Sequence, residues 1–135
     1  MTPRGIRNNN PGNIRHGDRW DGLSRSQSDP DFCVFDSMAY GLRALLMTLR
    51  TYHRKYGLDT VSDIITRWAP GNENDTEAYI RDVAQRMGVG ADVALDLEDA
   101  TTLLAVAHAI ALHECGSEAR SILVEDWAKA LAMLR

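Results

Sequence analysis

The residue best placed to do chemistry in this sequence is Glu114, near the end of a predicted helix. Three apolar residues precede it at helical spacing and share its face: Leu103, Ala107 and Ile110. Glu114 is therefore expected to point toward the core, in the last turn before Gly116 ends the helix. Partial desolvation and the negative end of the helix dipole both disfavour a charged carboxylate, so the group should stay protonated to a higher pH than a surface glutamate. A general acid requires such a proton.

A simpler interpretation of Glu114 is also open, in which the helix end frays and the carboxylate reaches solvent. The helix is predicted to begin at Asp96, which can cap it together with Asp99 three residues on, and no helix breaker follows before Gly116. The spacing alone does not choose between a core-facing acid and a surface glutamate.

Other reactive side chains are not spaced for a second kind of chemistry. His113-Glu114 does not open a zinc motif, because no second histidine follows at helical spacing. His113 and Cys115 do not form a nucleophilic pair by adjacency alone. Cys33 and Cys115 are too few for a disulfide framework and are interpreted as free thiols. We expect no metal and no cofactor.

Length and composition indicate one globular domain, residues 1–135, with 44% hydrophobic and 25% charged residues. No apolar run approaches the roughly 20 residues of a membrane span, and the first eleven residues lack the apolar stretch of a signal peptide. The expectation is synthesis in the cytoplasm and no membrane partner. Five arginines and two aspartates through residue 25 give that arm a charge of +3, against −4 for the whole chain. Without interleaved aromatic residues, this arm does not predict a nucleic-acid partner.

The N-terminal quarter, residues 1–31, is rich in glycine, proline and asparagine and predicts turns and short extended pieces. Asn10-Pro11-Gly12-Asn13 predicts a type II turn with Gly12 at positive φ. The apolar run 32–35 then predicts a short strand, and Asp36-Ser37 can cap the next helix.

Apolar residues at helical spacing predict four more helices: 38–56, 60–68, one from Asp75 or Thr76 to Gly88, and one over about 121–134. The last helix has five residues on its predicted buried side: Ile122, Leu123, Trp127, Ala130 and Leu131. The predicted fold class is mainly α, with five or six helices and a small β excursion near the N-terminus.

Several short motifs, taken in chain order, resemble those of one enzyme family. They are Asn9-Asn10-Pro11-Gly12-Asn13-Ile14, Trp20-Asp21-Gly22, the run 32–35, Gly41-Leu42-Arg43-Ala44, Arg67-Trp68-Ala69-Pro70, and Asn74-Asp75-Thr76 leading to Tyr79-Ile80. Their order is similar to that in the glucosaminidase and flagellar-type peptidoglycan hydrolases of the lysozyme superfamily. It is closer still to a group of phage-encoded proteins, some of them described as virion structural proteins.

In those hydrolases a helix that ends in the catalytic glutamate precedes the other motifs, whereas here the helix ending Glu114-Cys115-Gly116 follows them. The resemblance therefore implies an α+β lysozyme-like domain that is circularly permuted, with the catalytic helix near the C-terminus. It also implies that Glu114 protonates the glycosidic oxygen of a β-1,4 linkage, as in a muramidase or a lytic transglycosylase.

The resemblance assigns Tyr79 a place across the cleft from the acid, although an amphipathic core tyrosine is an equally open interpretation. It also implies four substrate-binding residues: Asn10, Trp20, Asn74 and Thr76. Three of them have a structural alternative, since Asn10 could be a turn asparagine, Trp20 a hydrophobic plug and Thr76 a helix cap.

A second catalytic carboxylate is expected in the β region, where Asp29 and Asp31 are the nearest candidates. Both could instead be turn residues. Glu114 would then act alone, with the N-acetyl group or the 6-hydroxyl of the substrate as the internal nucleophile. The absence of a clear partner also leaves open a non-catalytic virion or wall-binding module of the same shape.

The partner expected from the resemblance is bacterial peptidoglycan, met by a monomeric protein in the periplasm or cell wall. Delivery through a holin, a virion or a secretion machine would bring it there, during phage lysis or wall penetration.

Overall fold

The computed structural model describes residues 2–134, with the side chain of Asn74 outside the described part. Six α-helices lie within that range: α1 Arg4–Arg7, α2 Met38–Tyr56, α3 Val61–Trp68, α4 Glu73–Met87, α5 Ala100–Cys115 and α6 Val124–Ala132. A 3-10 helix, Gly116–Ser121, joins α5 to α6. The predicted mainly α class is therefore confirmed.

Helix α2 is the central element and has the bounds that the sequence predicts. The Ser37 hydroxyl caps its first turn by accepting from the Tyr40 N–H, and Gly57 ends it in the left-handed conformation at φ 67°. Four leucines of α2 are fully buried: Leu42, Leu45, Leu46 and Leu49. They pack with α5 and α6, so most of the core is built around this helix.

Helices α3 and α4 pack against each other. Helix α3 begins one residue after its predicted start, and α4 begins two or three residues before its predicted start. Thr60 caps α3 through the Asp63 N–H. The Asn72 side chain accepts from the Asp75 N–H, so α4 starts at Glu73 rather than at Asp75 or Thr76. Thr76 lies inside the first turn and does not cap the helix, because its hydroxyl donates to the Ala69 carbonyl at 2.6 Å.

Helix α5 begins at Ala100, four residues after Asp96. Asp99 is the N-cap and accepts from the Thr102 N–H, whereas the Asp96 carboxylate accepts from the Glu98 N–H in the preceding turn. Gly116, at φ 66°, ends the helix as predicted. The 3-10 helix that follows was not predicted.

Helix α6 is shorter than predicted, and Leu123 is 60% exposed instead of buried. Leu123 is the N-cap residue and has extended backbone, so the helical phase that would place it inward does not yet apply.

The predicted strand over 32–35 is not formed among the described residues, which contain isolated β-bridges only. The segment is extended, but it pairs with different loops on its two sides: the Cys33 N–H donates to the Ile14 carbonyl, and the Val34 carbonyl accepts from the Ser24 N–H. Because each loop supplies so few partners, the pairing does not extend into a sheet. The one-turn helix α1 also lies in the region where only turns and extended pieces were predicted.

The turn Asn10-Pro11-Gly12-Asn13 forms, with the Asn13 N–H donating to the Asn10 carbonyl at 2.9 Å, but it is not type II. Gly12 does not have positive φ, and Asn13 instead takes φ 51°. Gly12 is closely packed, since a Cβ there would lie 3.2 Å from both the Leu45 Cδ1 and the Trp68 ring.

The N-terminal region is attached to α2 by a close backbone approach. A Cβ at Gly41 would overlap the carbonyl oxygen of Asn9, so only glycine lets the asparagine run lie directly on the helix. A second cluster of buried side chains, Cys33, Phe35 and Ala44, fills the same side of α2.

We predict that Gly41→Ala lowers the free energy of unfolding by about 2–3 kcal/mol, although alanine ordinarily favours a helix interior. Gly71→Ala is the matched control, because its Cβ meets no atom within 4 Å, and should change stability by less than about 0.5 kcal/mol. Urea unfolding followed by circular dichroism measures both. Equal stability of the two variants would show that the contact between Asn9 and Gly41 is not tight.

Candidate functional site

A cleft of about 670 Å³ lies between the N-terminal loops and the helices. One wall is formed by residues 12–15, Asp18, Trp20 and Phe32, and the other by α2 residues Thr48 and Tyr52 together with the connection from Trp68 to Asn72. Its floor is formed by α4 and by Glu114 at the end of α5. Helices α4 and α5 pack directly against each other, which sets the distance between their functional side chains.

Glu114 lies in the cleft with both carboxyl oxygens held. Its Oε2 accepts from the Tyr79 hydroxyl at 2.8 Å, and its Oε1 accepts from the Asn13 Nδ2 at 2.8 Å. The predicted inward face is confirmed by its three apolar neighbours, which are at most 3% exposed: Leu103, Ala107 and Ile110. Glu114 is half-buried and lines the cleft, so its carboxyl is both fixed and accessible.

Tyr79 is 5% exposed, and its hydroxyl donates to Glu114. Burial, and then the neighbouring Glu114 carboxylate, raise the pKa of Tyr79 above its ordinary range, so the phenol keeps its proton. The His113 ring stacks on the tyrosine at 3.7 Å between centroids, and His113 Nδ1 lies 2.6 Å from Asp82 Oδ2. Asp82 also accepts from Arg86. This chain of contacts fixes the orientation of the hydroxyl.

Asn13 is the functional residue that sequence reasoning missed. The left-handed conformation that follows the turn Pro11-Gly12 directs its amide nitrogen at Glu114. Asn10, which is fully buried, holds this loop by donating to the Ile14 and Cys33 carbonyls and accepting from the Ile14 N–H. The asparagine motif was recognised in the sequence, but its cleft role was given to Asn10 rather than to Asn13.

The structure brings four of the predicted site residues to one cleft: Trp20, Thr76, Tyr79 and Glu114. The Trp20 indole nitrogen is buried and has no hydrogen-bond partner among residues 2–134. Thr76 lines the cleft while fixing the loop that follows α3 through its bond to Ala69. Asn74 lies in the first turn of α4, and its predicted side-chain role falls outside the described part.

Asp29 and Asp31 do not line the cleft. Asp29 is buried and accepts from Arg4 Nη2 at 2.6 Å and Nε at 2.9 Å, from Asn8 at 3.0 Å, and from the backbone N–H groups that follow it. The Arg4 guanidinium holds the pKa of Asp29 far below its usual range. Asp31 forms a second, exposed ion pair with Arg4 at 3.1 Å. Both carboxylates therefore attach α1 to the loop at 29–32.

Two other carboxylates, Asp18 and Asp75, line the cleft with Glu114, and both are exposed. Asp75 precedes Tyr79 by one helical turn and so shares its face, a spacing that could have identified it from the sequence. Asp18 lies in an irregular loop, where no sequence pattern predicts the direction of a side chain.

Cys115 lies beneath the site and is 5% exposed. Burial, and then the Glu114 carboxylate, raise the pKa of its thiol to about 11, so it is not a nucleophile at neutral pH.

Among residues 2–134 no group of three or more potential metal ligands converges. No helix in that range is long and apolar enough to cross a membrane.

The chain is similar to a bacteriophage protein. It is 48% identical over 90 residues to the protein named Protein P5 of Pseudoalteromonas phage PM2, a match that covers 64% of this chain. The matched region is 56% of the length of that relative, so this chain spans just over half of it. No family model matches the sequence.

We predict that Asp29→Asn lowers the unfolding temperature at pH 7. The difference in unfolding temperature between variant and wild type should narrow as the pH falls below about 4. The pKa of Asp29 is lower in the folded than in the unfolded state, so the ionised group stabilises the folded protein. This stabilisation is complete above the unfolded-state pKa and is lost as the pH falls below it, because the unfolded chain then takes up the proton. Thermal unfolding at pH 7 and pH 3 measures this, with the exposed Asp31→Asn as a control of smaller effect. A difference that stays the same at both pH values would contradict the ion-pair assignment.

Proposed function

We propose that the protein cleaves the β-1,4-linked glycan strand of bacterial peptidoglycan, with Glu114 as the general acid. The observation that carries this proposal is a carboxyl group that faces an open cleft and is held by two donors, Tyr79 and Asn13. A cleft that combines aromatic side chains with polar groups suits a sugar polymer, whose rings present apolar faces between hydroxyls. Trp20, Tyr52 and Trp68 are among those aromatic side chains.

The geometry suggests how the proton would be handled. In its acid form Glu114 donates its proton to the glycosidic oxygen while the bond from that oxygen to the anomeric carbon breaks. The carboxylate left behind accepts from Tyr79 and Asn13, both already in place, which stabilises the charge that forms. The tyrosine hydroxyl can also accept a hydrogen bond, so it accommodates Glu114 in either protonation state.

The second half of the reaction returns the proton to Glu114. As a carboxylate it would accept a proton from the incoming hydroxyl, either water or the 6-hydroxyl of the same sugar. Asp29 and Asp31 lie outside the cleft and cannot serve as base. Asp18 and Asp75 line the cleft and are exposed, and we favour Glu114 acting alone, as in a lytic transglycosylase.

We also propose that the domain is lysozyme-like and circularly permuted. Support comes from the way the end of α5 meets the N-terminal motif: Glu114 bonds to Asn13, and Gly5 of α1 packs so closely on Cys115 that a Cβ at Gly5 would lie 2.5 Å from the sulfur. The end of α5 is thus close to the asparagine motif, which is what we expect if α5 corresponds to the helix that precedes this motif in the hydrolases. The relative is a phage protein. The role that we propose for this chain is in phage lysis or wall penetration, with the wall reached through a holin, a virion or a secretion machine.

We predict that the wild type reduces the turbidity of permeabilised bacteria and that Glu114→Gln loses nearly all of this activity, because the amide has no acidic proton to donate. The control is Glu118→Gln, the same change at an exposed residue outside the cleft, which should retain full activity.

Tyr79→Phe should lower the rate of turbidity loss about tenfold, because it removes one charge-assisted hydrogen bond to Glu114.

Equal activity of Glu114→Gln and wild type would refute the assignment of the acid. Binding of wild-type protein to sacculi without any released muropeptide, at high concentration and across pH, would instead support a non-catalytic virion or wall-binding module.

We predict that Asp18→Asn and Asp75→Asn each retain at least about a tenth of wild-type activity, a barrier increase below roughly 1.4 kcal/mol. Mass spectrometry of the products should show 1,6-anhydro ends. If either variant is as inactive as Glu114→Gln and the wild type yields reducing ends, that aspartate is the missing base and the single-acid route is wrong.

A further inference from the structure

A second cavity of about 770 Å³ continues the cleft away from Glu114. Five residues line both cavities: Asp18, Trp20, Thr48, Tyr52 and Pro70. We call the remainder of the second cavity the distal groove, which is lined by Thr51, Lys55, Tyr56 and Arg67. Because the two cavities share a wall, one extended polymer could occupy both.

The distal groove differs from the cleft in charge. Its charged residues are Lys55 and Arg67, whereas the cleft has two carboxylates, Glu114 and Asp75, and one cation, Arg15. Asp18 lies at the junction. The salt bridges within residues 2–134 include neither Lys55 nor Arg67. Two cations therefore face the groove without a carboxylate paired to them.

Aromatic stacking fixes the position of Arg67. Its guanidinium lies 3.8 Å from the centroid of the Tyr56 ring and 5.3 Å from that of Tyr52, and Lys55 Nζ lies 5.4 Å from the Tyr56 ring. One N–H of the Arg67 guanidinium is directed at the Tyr52 hydroxyl. Stacking on the Tyr56 ring uses the face of the guanidinium and leaves its other N–H groups at the edge, where they can bind a carboxylate. Preorganisation of this kind lowers the entropy cost of binding an anion.

We propose that the distal groove binds the carboxylates of the peptide stems that project from the glycan strand. This inference rests on the proposed function. The amino sugars of an intact strand are neutral, and the lactyl group of each muramyl residue is amide-linked to its stem, so the carboxylates are those of the stem peptide. Glu114 would then act on a strand whose register in the cleft is fixed by a stem held between Lys55 and Arg67.

The test compares the affinity of two proteins for sacculi. One is the Glu114→Gln variant, which should bind its substrate without turnover, and the other carries Lys55→Gln and Arg67→Gln in addition. On intact sacculi the two added substitutions should weaken binding about tenfold, the equivalent of one lost charge-assisted contact. On sacculi whose amines have been acetylated and whose carboxyl groups have been converted to amides, the two proteins should bind equally. Raising the salt concentration should weaken only the binding that depends on the cations.

The charge control is Arg54→Gln, one residue before Lys55 on α2, since Arg54 pairs with Glu98 at 2.8 Å and does not line the groove. It should leave binding unchanged. Peptide-free strands, which carry only lactyl carboxylates, should compete poorly with intact sacculi; equally good competition would overturn the assignment to the stem.

Tight binding to all preparations, unaffected by the Lys55 and Arg67 substitutions, would refute the distal-groove inference and leave the proposed function standing. Binding to none of them would refute the proposed function and the inference together.

Discussion

The pair of hydrogen bonds on Glu114 is the interaction on which the site depends. Tyr79 and Asn13 come from α4 and from the N-terminal turn, and Glu114 comes from the last turn of α5, so three separated parts of the chain converge on one carboxyl group. Solvent in place of either donor would not hold the Glu114 carboxyl group in one orientation. The rest of the fold can be understood as the means of holding these three parts in register.

Two devices hold the N-terminal part. Gly41 lets the backbone at Asn9 rest on α2, and the buried amide of Asn10 fixes the loop from which Asn13 projects. On the opposite side, the stacked ring of His113 and the packing of α4 on α5 hold Tyr79. The carboxylate of Asp29 contributes only indirectly, because its ion pair with Arg4 anchors α1 next to Cys115 and the end of α5.

The sequence predicts helices well where periodicity and capping agree, as in α2, where Ser37 and Gly57 mark both ends. It fails where two aspartates compete to cap, as Asp96 and Asp99 do, and where Leu123 precedes a helix instead of joining it. The inward direction of Glu114 follows from its helical face. The role of Asn13 does not, since it depends on a left-handed backbone conformation and on a contact across the whole chain. The position of Asp29 outside the cleft could not be predicted, because nothing in the local sequence indicates that its carboxylate pairs with Arg4.

Delivery of a proton by Glu114 to a glycan strand, as we propose, can be tested by counting the new glycan-chain ends released from purified sacculi. Equal amounts of correctly folded wild-type and Glu114→Gln protein are compared. New ends should accumulate with time in the wild-type reaction and remain at background with the variant. Ends that accumulate at the same rate with both proteins, or with neither, would refute the role of Glu114 as the acid.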